Sequence, residues 1–418
     1  MEELYYALNP WWEGKTFDSG INREDYLEKI DLKRKQIEVV IGSRRIGKTT
    51  FIKQIIREQI EKGFPNNRLL YLALDHPRLS RVYISEHLKL FRKIFMHSRT
   101  QNLLLFLDEV QESPNWEAEL KSIYDLENVK IICSGSTSTL IKSQGGKLTG
   151  RQIVTTIYPL SFKEFLNFKK IKLTRAEDYK YEKMVEEYLQ TGGYPENVLL
   201  PSEEYLQNLL DDIIARDLIR LFPIKKHGVL KDLILLLASS VGSRTSFNKL
   251  SNVLDISVDT VKEYISYFET AFLVGSMQKW SSSYTDRIYA AKKIYLMDTG
   301  IKTLLTGKRD LGAKAENAVF VHFKRKNESC GYYAESQREV DFVLGDFNNP
   351  LPVEVKYSSG FDWQDRKFSG IKLFLRRFPN TKEVLIISKE SELEMKEKNI
   401  TIKVMSLWKF LMSSRNFS

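Results

Sequence analysis

The sequence predicts an α/β chain whose first part is a parallel sheet built around a phosphate-binding loop. Three observations predict it. Gly42-Ser43-Arg44-Arg45-Ile46-Gly47-Lys48-Thr49 is a complete G-x-x-x-x-G-K-[ST] motif. The apolar run 37–41 before it reads as a buried strand, and Thr50-Phe51-Ile52-Lys53-Gln54-Ile55-Ile56 after it as the start of an amphipathic helix. A second apolar run, Leu103-Leu104-Leu105-Phe106-Leu107, ends in Asp108 and Glu109. Continuous apolar runs of this kind suit strands covered on both faces, and such sheets gather their ligands at the carboxyl ends of the strands.

Strand, glycine loop and helix together aim backbone N–H groups and a helix N-terminus at a polyphosphate. The candidate nucleotide contacts are Gly42, Ser43, Arg44, Arg45, Ile46, Gly47, Lys48, Thr49 and Thr50. Gly42 and Gly47 supply turn geometry and close backbone approach. Lys48 is placed to neutralise the β- and γ-phosphates, and the Thr49 hydroxyl to hold Mg²⁺. Asp108 is expected to bind the same ion through water, and Glu109 to orient and deprotonate the water that attacks the γ-phosphate. ATP and Mg²⁺ are therefore the expected ligands.

The remaining elements follow in chain order. Trp11 and Trp12, ahead of the loop, either stack on adenine or plug the base of the domain. Residues 69–75 read as a second parallel strand; its Asp75 either assists the metal or caps the turn at His76-Pro77. Residues 129–133 form another strand, with Ser134 and Ser136 at its tip as candidates to contact the γ-phosphate or the attacking water. Arg151 either stabilises charge on the γ-phosphate, in its own chain or a neighbour's, or pairs locally. Ser161-Phe162-Lys163-Glu164 is a capping box. Helical periodicity over 178–190 breaks at Thr191-Gly192-Gly193-Tyr194-Pro195, as expected of a helical lid over the nucleotide.

Farther on, Phe247 to Leu254, a turn at Asp255-Ile256 and a helix capped by Ser257 predict a helix-turn-helix, with Val261, Ile265 and Phe268 as its buried stripe. Leu273–Trp280 and Ile288–Leu296 read as strands of a wing. Asp259 and Glu263 at the start of the recognition helix would repel phosphates, which argues for a docking role over major-groove recognition. The boundaries read as 1–158 for the ATPase core, 159–227 for the lid and connector, 228–300 for the winged-helix-like region and 301–418 for a C-terminal α/β region.

Formal charge is +10 and the pI near 9.2, which suits either a polyanionic partner such as DNA or an ordinary solvated, lysine-rich surface. Cys133 and Cys330 lack metal-ligand spacing, and no apolar stretch approaches a membrane span. The N-terminus shows no signal-peptide pattern, so the expected setting is reducing and cytoplasmic.

The C-terminal region holds a second constellation. Glu316 falls on a helix whose apolar side includes Phe320 and Phe323. Residues 338–343 alternate as a strand, and Glu354 and Lys356, two apart on the next strand, share a face. Asp341 and Glu354 are placed to share a divalent cation, with Glu316 completing its shell and Lys356 orienting water or stabilising a pentavalent phosphate. The plainer alternative is a salt-bridged sheet in which Lys356 pairs with Glu354 and Asp341.

On these residues the chain resembles the archaeal-type AAA ATPases that join a P-loop NTPase domain to a winged helix and a C-terminal domain similar to the PD-(D/E)xK nucleases. The matching stretches are Gly42 to Thr50, Leu107-Asp108-Glu109-Val110-Gln111, Ser134-Gly135-Ser136, Gly150-Arg151 to Phe162, Gly192-Gly193-Tyr194-Pro195, Glu339-Val340-Asp341-Phe342 and Val353-Glu354-Val355-Lys356. The resemblance implies ATP with Mg²⁺ at Lys48, Thr49 and Asp108, hydrolysis assisted by Glu109, and metal at Asp341 and Glu354. Ring-forming relatives place an arginine in the lid to touch the γ-phosphate, and none closely follows Gly192-Gly193-Tyr194-Pro195; Arg216 and Arg220 lie beyond, which leaves both a homo-oligomer and a single-chain site open.

Overall fold

A computed structural model describes residues 1–135, 146–174, 177–224 and 226–414. Ser136, expected at a strand tip, lies outside them. The chain divides into two compact units, Met1–Tyr158 and Pro159–Ser418. The stretches read as lid, winged-helix-like and nuclease-like regions all fall in the second. Among the described residues no helix is long and apolar enough to cross a membrane.

In the first unit, β1 (Ile37–Gly42), β2 (Leu69–Ala73), β3 (Leu103–Asp108), β4 (Val129–Ser134) and β5 (Gln152–Ile157) form a parallel sheet in the order β2-β3-β4-β1-β5. Every residue of β1 and β3 is buried, which is why neither run alternates. The helix Lys48–Glu61 buries Phe51, Ile52, Ile55 and Ile56 at helical spacing. β4 separates β1 from β3, with Val40 beside Ser134 and Leu107 beside Cys133. The phosphate loop and the Asp108 tip are thus two strand spacings apart, roughly 10 Å, with Ser134 between them.

The segment ahead of β1 braces the loop. Gln54 donates to the carbonyls of Ser19 (3.1 Å) and Ile21 (2.7 Å) and accepts from the Arg23 N–H (3.1 Å). The buried Arg23 guanidinium donates to the Tyr158 carbonyl at 2.9 Å and the Ile46 carbonyl at 3.4 Å, tying the loop to the end of β5. Trp11 and Trp12 both donate to the Leu69 carbonyl, at 3.4 and 2.7 Å, and Trp12 stacks on Phe91. Leu69 begins β2, so both tryptophans sit at the edge where the strands start, opposite the phosphate loop. They plug the base and do not reach an adenine there. Arg151 lies at the same basal edge, paired with Asp125 at 3.2 Å beside Tyr124, and so cannot serve the phosphate loop of its own chain.

The second unit opens with the helix Phe162–Phe168, whose Ser161–Glu164 capping box forms as expected, and the helix Lys180–Thr191. β6 (Arg244–Thr245), β7 (Val274–Met277) and β8 (Lys292–Leu296) make an antiparallel sheet in the order β6-β8-β7 beside the helices His227–Ser239, Phe247–Leu254 and Val258–Thr270. The strand expected from Ile288 begins only at Lys292. Tyr284–Tyr289 is helical instead, because the Ser283 hydroxyl caps the Asp286 N–H and starts a helix there.

β9 (Cys330–Glu335), β10 (Arg338–Leu344), β11 (Leu351–Lys356), β12 (Glu383–Ser388), β13 (Leu393–Glu397) and β14 (Ile400–Ser406) form a mixed sheet in the order β13-β14-β12-β11-β10-β9. One face carries a core of Val340, Val343, Ile371, Phe374, Val384 and Ile386. Val340 and Val343 are three apart, yet they share that core because β10 is bulged between them. The same bulge sends Asp341 and Phe342 to the opposite face, where Phe342 meets Phe323 of the helix Leu311–Arg325 and Tyr295 of β8.

Candidate functional site

Gly42 ends β1 at φ +155°, and a Cβ there would lie 2.4 Å from the Ile157 carbonyl. Gly47 turns the chain at φ +94° into the helix that starts at Lys48. Between them Arg45 is exposed with φ 56°, Arg44 is half-buried, and Ser43 and Ile46 are buried. Thr50 packs its methyl against Gly20, where a Cβ would come within 2.7 Å of it. The Lys48 ammonium donates to the carbonyls of Gly42 (3.3 Å) and Ser43 (3.2 Å) and lies 4.0 Å from Glu109 Oε1.

Asp108 is held by hydroxyls from three elements. Thr49 donates to Oδ2 at 2.6 Å from the first turn of the helix, Tyr71 donates to Oδ2 at 3.1 Å from β2, and Ser134 donates to Oδ1 from β4. Burial, with Asp108 beside it, pushes the Tyr71 phenol well above the usual range, so it stays a donor. The Ser134 hydroxyl also accepts from the Glu109 N–H at 3.1 Å, and Gln111 donates to Glu109 Oε2 at 2.6 Å. Glu109 itself is left-handed, φ 51°, where the chain leaves β3.

The sequence-derived residues Lys48, Thr49, Asp108, Glu109 and Ser134 therefore converge. Asp75 is exposed in the turn after β2. Tyr71 and Gln111 were not foreseen. Tyr71 is the one hydroxyl in its apolar run and aligns with Phe106, two residues before Asp108, a signal that strand pairing alone makes legible. The donor set fits Mg²⁺. Thr49 and Asp108 would hold the ion with one hydroxyl and one carboxylate, oxygen donors of the kind this hard cation takes beside phosphate and water.

The second constellation also assembles, with added members. Lys356 Nζ lies 2.5 Å from Glu354 Oε1 and 3.7 Å from Asp341 Oδ2. The Val355 N–H donates to Asp341 Oδ2 at 2.9 Å, and the Asp341 N–H to Glu354 Oε2 at 3.3 Å. Glu316, Glu339 and Asp341 surround Lys293 of β8, at 3.2, 2.6 and 3.5 Å from its ammonium. Arg244 of β6 meets Glu339 at 3.2 Å, and the Tyr295 hydroxyl donates to Glu316 at 2.7 Å. Burial, then the nearby Asp341, pushes the Glu316 carboxyl up to about 7 and that of Glu354 up to about 8. Burial opposes the Lys293 charge, but Glu316, Asp341 and Glu339 outweigh it and the ammonium is held above its ordinary range.

Lys293, Glu339 and Arg244 were missed in sequence. Lys293 carried no local signal, being the second of two lysines that open β8; its burial alone marks it out. Among the described residues, no group of three or more His, Cys, Asp or Glu side chains is arranged to hold a metal ion. Glu316, Asp341 and Glu354 do not fit a divalent ion here: Lys293 takes oxygens of Glu316 and Asp341, Lys356 takes those of Glu354 and Asp341, and both charges repel the ion.

Residues 34–166 match a family model described as an AAA domain. Two models described as domains of unknown function, DUF8612 and DUF4143, match residues 182–312 and 311–410. The chain is similar to uncharacterized protein MJ1544 of Methanocaldococcus jannaschii, 28% identical over 413 residues, covering 93% of this chain and 90% of that protein. It is similar to an uncharacterized protein of Haemophilus influenzae, 27% identical over 350 residues, covering 81% and 87%. Among solved structures it is similar to the Aeropyrum pernix Orc1 protein in complex with DNA, with a TM-score of 0.32, 14% identity and coverage of 72% of this chain and 96% of that one.

Proposed function

We propose that the chain binds ATP with Mg²⁺ at the Gly42–Thr49 loop and hydrolyses it, and that nucleic acid is the partner on which this cycle acts. The observation that carries the hydrolytic reading is the Asp108 carboxylate, fixed by hydroxyls of three elements beside a phosphate-binding loop. Fixed groups reorganise little during reaction, which is how electrostatic catalysis is achieved. Lys48 and the loop N–H groups bind and orient the polyphosphate. Thr49 and Asp108 would hold Mg²⁺, which supplies neutralisation of phosphate charge when bound. Glu109, steadied by Gln111 and by its own N–H on Ser134, aligns the attacking water and takes its proton.

Glu109→Gln keeps the shape and the Gln111 contact but removes the base. ATP affinity should stay within about threefold of wild type while turnover falls about 10²-fold or more. Undiminished hydrolysis in a folded Glu109→Gln protein would remove Glu109 from the mechanism.

A net charge of +10 supports nucleic acid as the partner. The order helix, strand, helix, turn, helix, strand, short helix, strand over 227–296 supports the winged-helix reading, with the helix Tyr284–Tyr289 interrupting the wing. Its presumptive recognition helix presents Asp259, paired with Lys262 at 3.1 Å, and Glu263, engaged by the Tyr267 hydroxyl. We therefore assign backbone contact and docking to this region, without major-groove readout. Assembly of several copies rests on the resemblance to AAA ATPases alone; Arg151, paired with Asp125 at 3.2 Å, does not argue for it. No cleavage step is assigned to the C-terminal carboxylates.

A further inference from the structure

We propose that the C-terminal carboxylate cluster is a socket for the chain's own cation. Lys293 takes the place of a divalent metal, fastening the three-stranded sheet to the six-stranded one, and the cluster becomes a metal site only when Lys293 is removed.

Geometry carries this inference. Lys293 is fully buried, and its ammonium contacts three carboxylates contributed by two elements, Glu316 of the helix Leu311–Arg325 and Glu339 and Asp341 of β10. The fourth carboxylate, Glu354, is paired with Lys356. Among the described residues, and counted with every carboxylate ionised as metal binding requires, four carboxylates face three cations, Lys293, Lys356 and Arg244, a formal excess of one negative charge (4 minus 3). A divalent ion entering this set would turn the formal excess positive beside the buried Lys293 ammonium. Taking away Lys293 raises the excess to two (4 minus 2), which matches a divalent ion.

The position of Lys293 is set by its strand as much as by its flexible stem. Asn317 holds both backbone groups of Leu296, donating to its carbonyl at 2.7 Å and accepting from its N–H at 2.9 Å. The Tyr295 ring stacks on Phe320 with centroids 4.3 Å apart, and the Tyr332 hydroxyl donates to the Ala291 carbonyl. On the remaining side the turn before β6 closes over the cluster. A Cβ on Gly242 would lie 2.7 Å from Glu316 Oε2, so the backbone itself rests against that carboxylate. Withdrawal of Lys293 therefore requires β8 to move as an element.

The test is a Mn²⁺ titration of the full chain without nucleotide, read by the electron paramagnetic resonance signal of the free ion. Wild type and Asp341→Asn should give superimposable curves. Lys293→Met, which keeps most of the side-chain volume without the charge, should gain one Mn²⁺ site at least tenfold tighter than any in wild type. That site should vanish in the Lys293→Met, Asp341→Asn double variant. Two results overturn the proposal: Mn²⁺ bound by wild type and lost in Asp341→Asn, or a Lys293→Met protein with native circular dichroism that gains no site. If Lys293→Met does not fold, wild type against Asp341→Asn decides alone, coincidence supporting the socket and divergence rejecting it. The measurement involves no ATP, so its failure is distinct from failure of the hydrolytic reading.

Discussion

Asp108 receives hydroxyl hydrogen bonds on both oxygens, and the donors differ in what else they touch. Ser134 also takes the Glu109 N–H, so its removal disturbs the metal carboxylate and the catalytic base together. Tyr71 touches Asp108 alone among these groups. Ser134→Ala should lower kcat about tenfold or more with ATP affinity nearly unchanged, and Ser134→Thr should restore part of the loss. Tyr71→Phe should cost about 1 kcal/mol, a single hydrogen bond, and lower kcat less. Steady-state kinetics beside nucleotide binding separate the two; equal losses in both variants would show that the Ser134 link to Glu109 has no role.

At the scale of elements, Gly192-Gly193-Tyr194-Pro195 is a junction with a physical cause. The Asp298 carboxylate caps the helix Thr299–Thr306 through the Ile301 N–H at 3.0 Å and also accepts from the Gly193 N–H at 2.6 Å. A Cβ on Gly193 would lie 2.6 Å from the Leu160 backbone nitrogen. Gly193→Ala should therefore destabilise the second unit by about 2 kcal/mol or more, seen as a lowered Tm. Burial raises the Asp298 carboxyl from its ordinary 3.8 to about 6, against the pull of those N–H donors. The folded protein then binds this proton more tightly than the unfolded chain does. The associated stability is fully present below about pH 4 and lost as pH rises through 6, about 3 kcal/mol in all. Asp298→Asn should flatten Tm between pH 4 and 6; an unchanged slope would assign the pH dependence elsewhere.

For the whole molecule, the excess of positive charge makes a kinetic and thermodynamic prediction. If nucleic acid is the partner, the logarithm of the affinity for DNA should fall linearly with the logarithm of salt, with a slope of about 0.9 per phosphate neutralised. Fluorescence anisotropy of labelled duplex and single strand over a salt series measures it. A flat response would leave the ATPase reading intact and remove DNA as the partner.

The phosphate loop, its strand and helix, and the Asp108-Glu109 tip were legible in the chain because each is local: a few consecutive residues fix both the backbone path and the chemistry. Glu316, Asp341, Glu354 and Lys356 were legible as a set because strand alternation puts Glu354 and Lys356 on one face. What escaped reading is non-local. Tyr71 reaches Asp108 only through pairing of β2 with β3, the two tryptophans are assigned to the base only by where β2 begins, and Glu339, which shares the face of Asp341 by strand alternation, finds its partners Lys293 and Arg244 only through the neighbouring sheet. Lys293 lies 23 residues before Glu316 and 48 before Asp341 (316 minus 293 and 341 minus 293). Sequence by itself determined which groups could carry phosphate chemistry. Tertiary structure alone decided which charge faces which, because the field at a buried carboxylate depends on distance and dielectric surroundings, and neither is written in the order of residues.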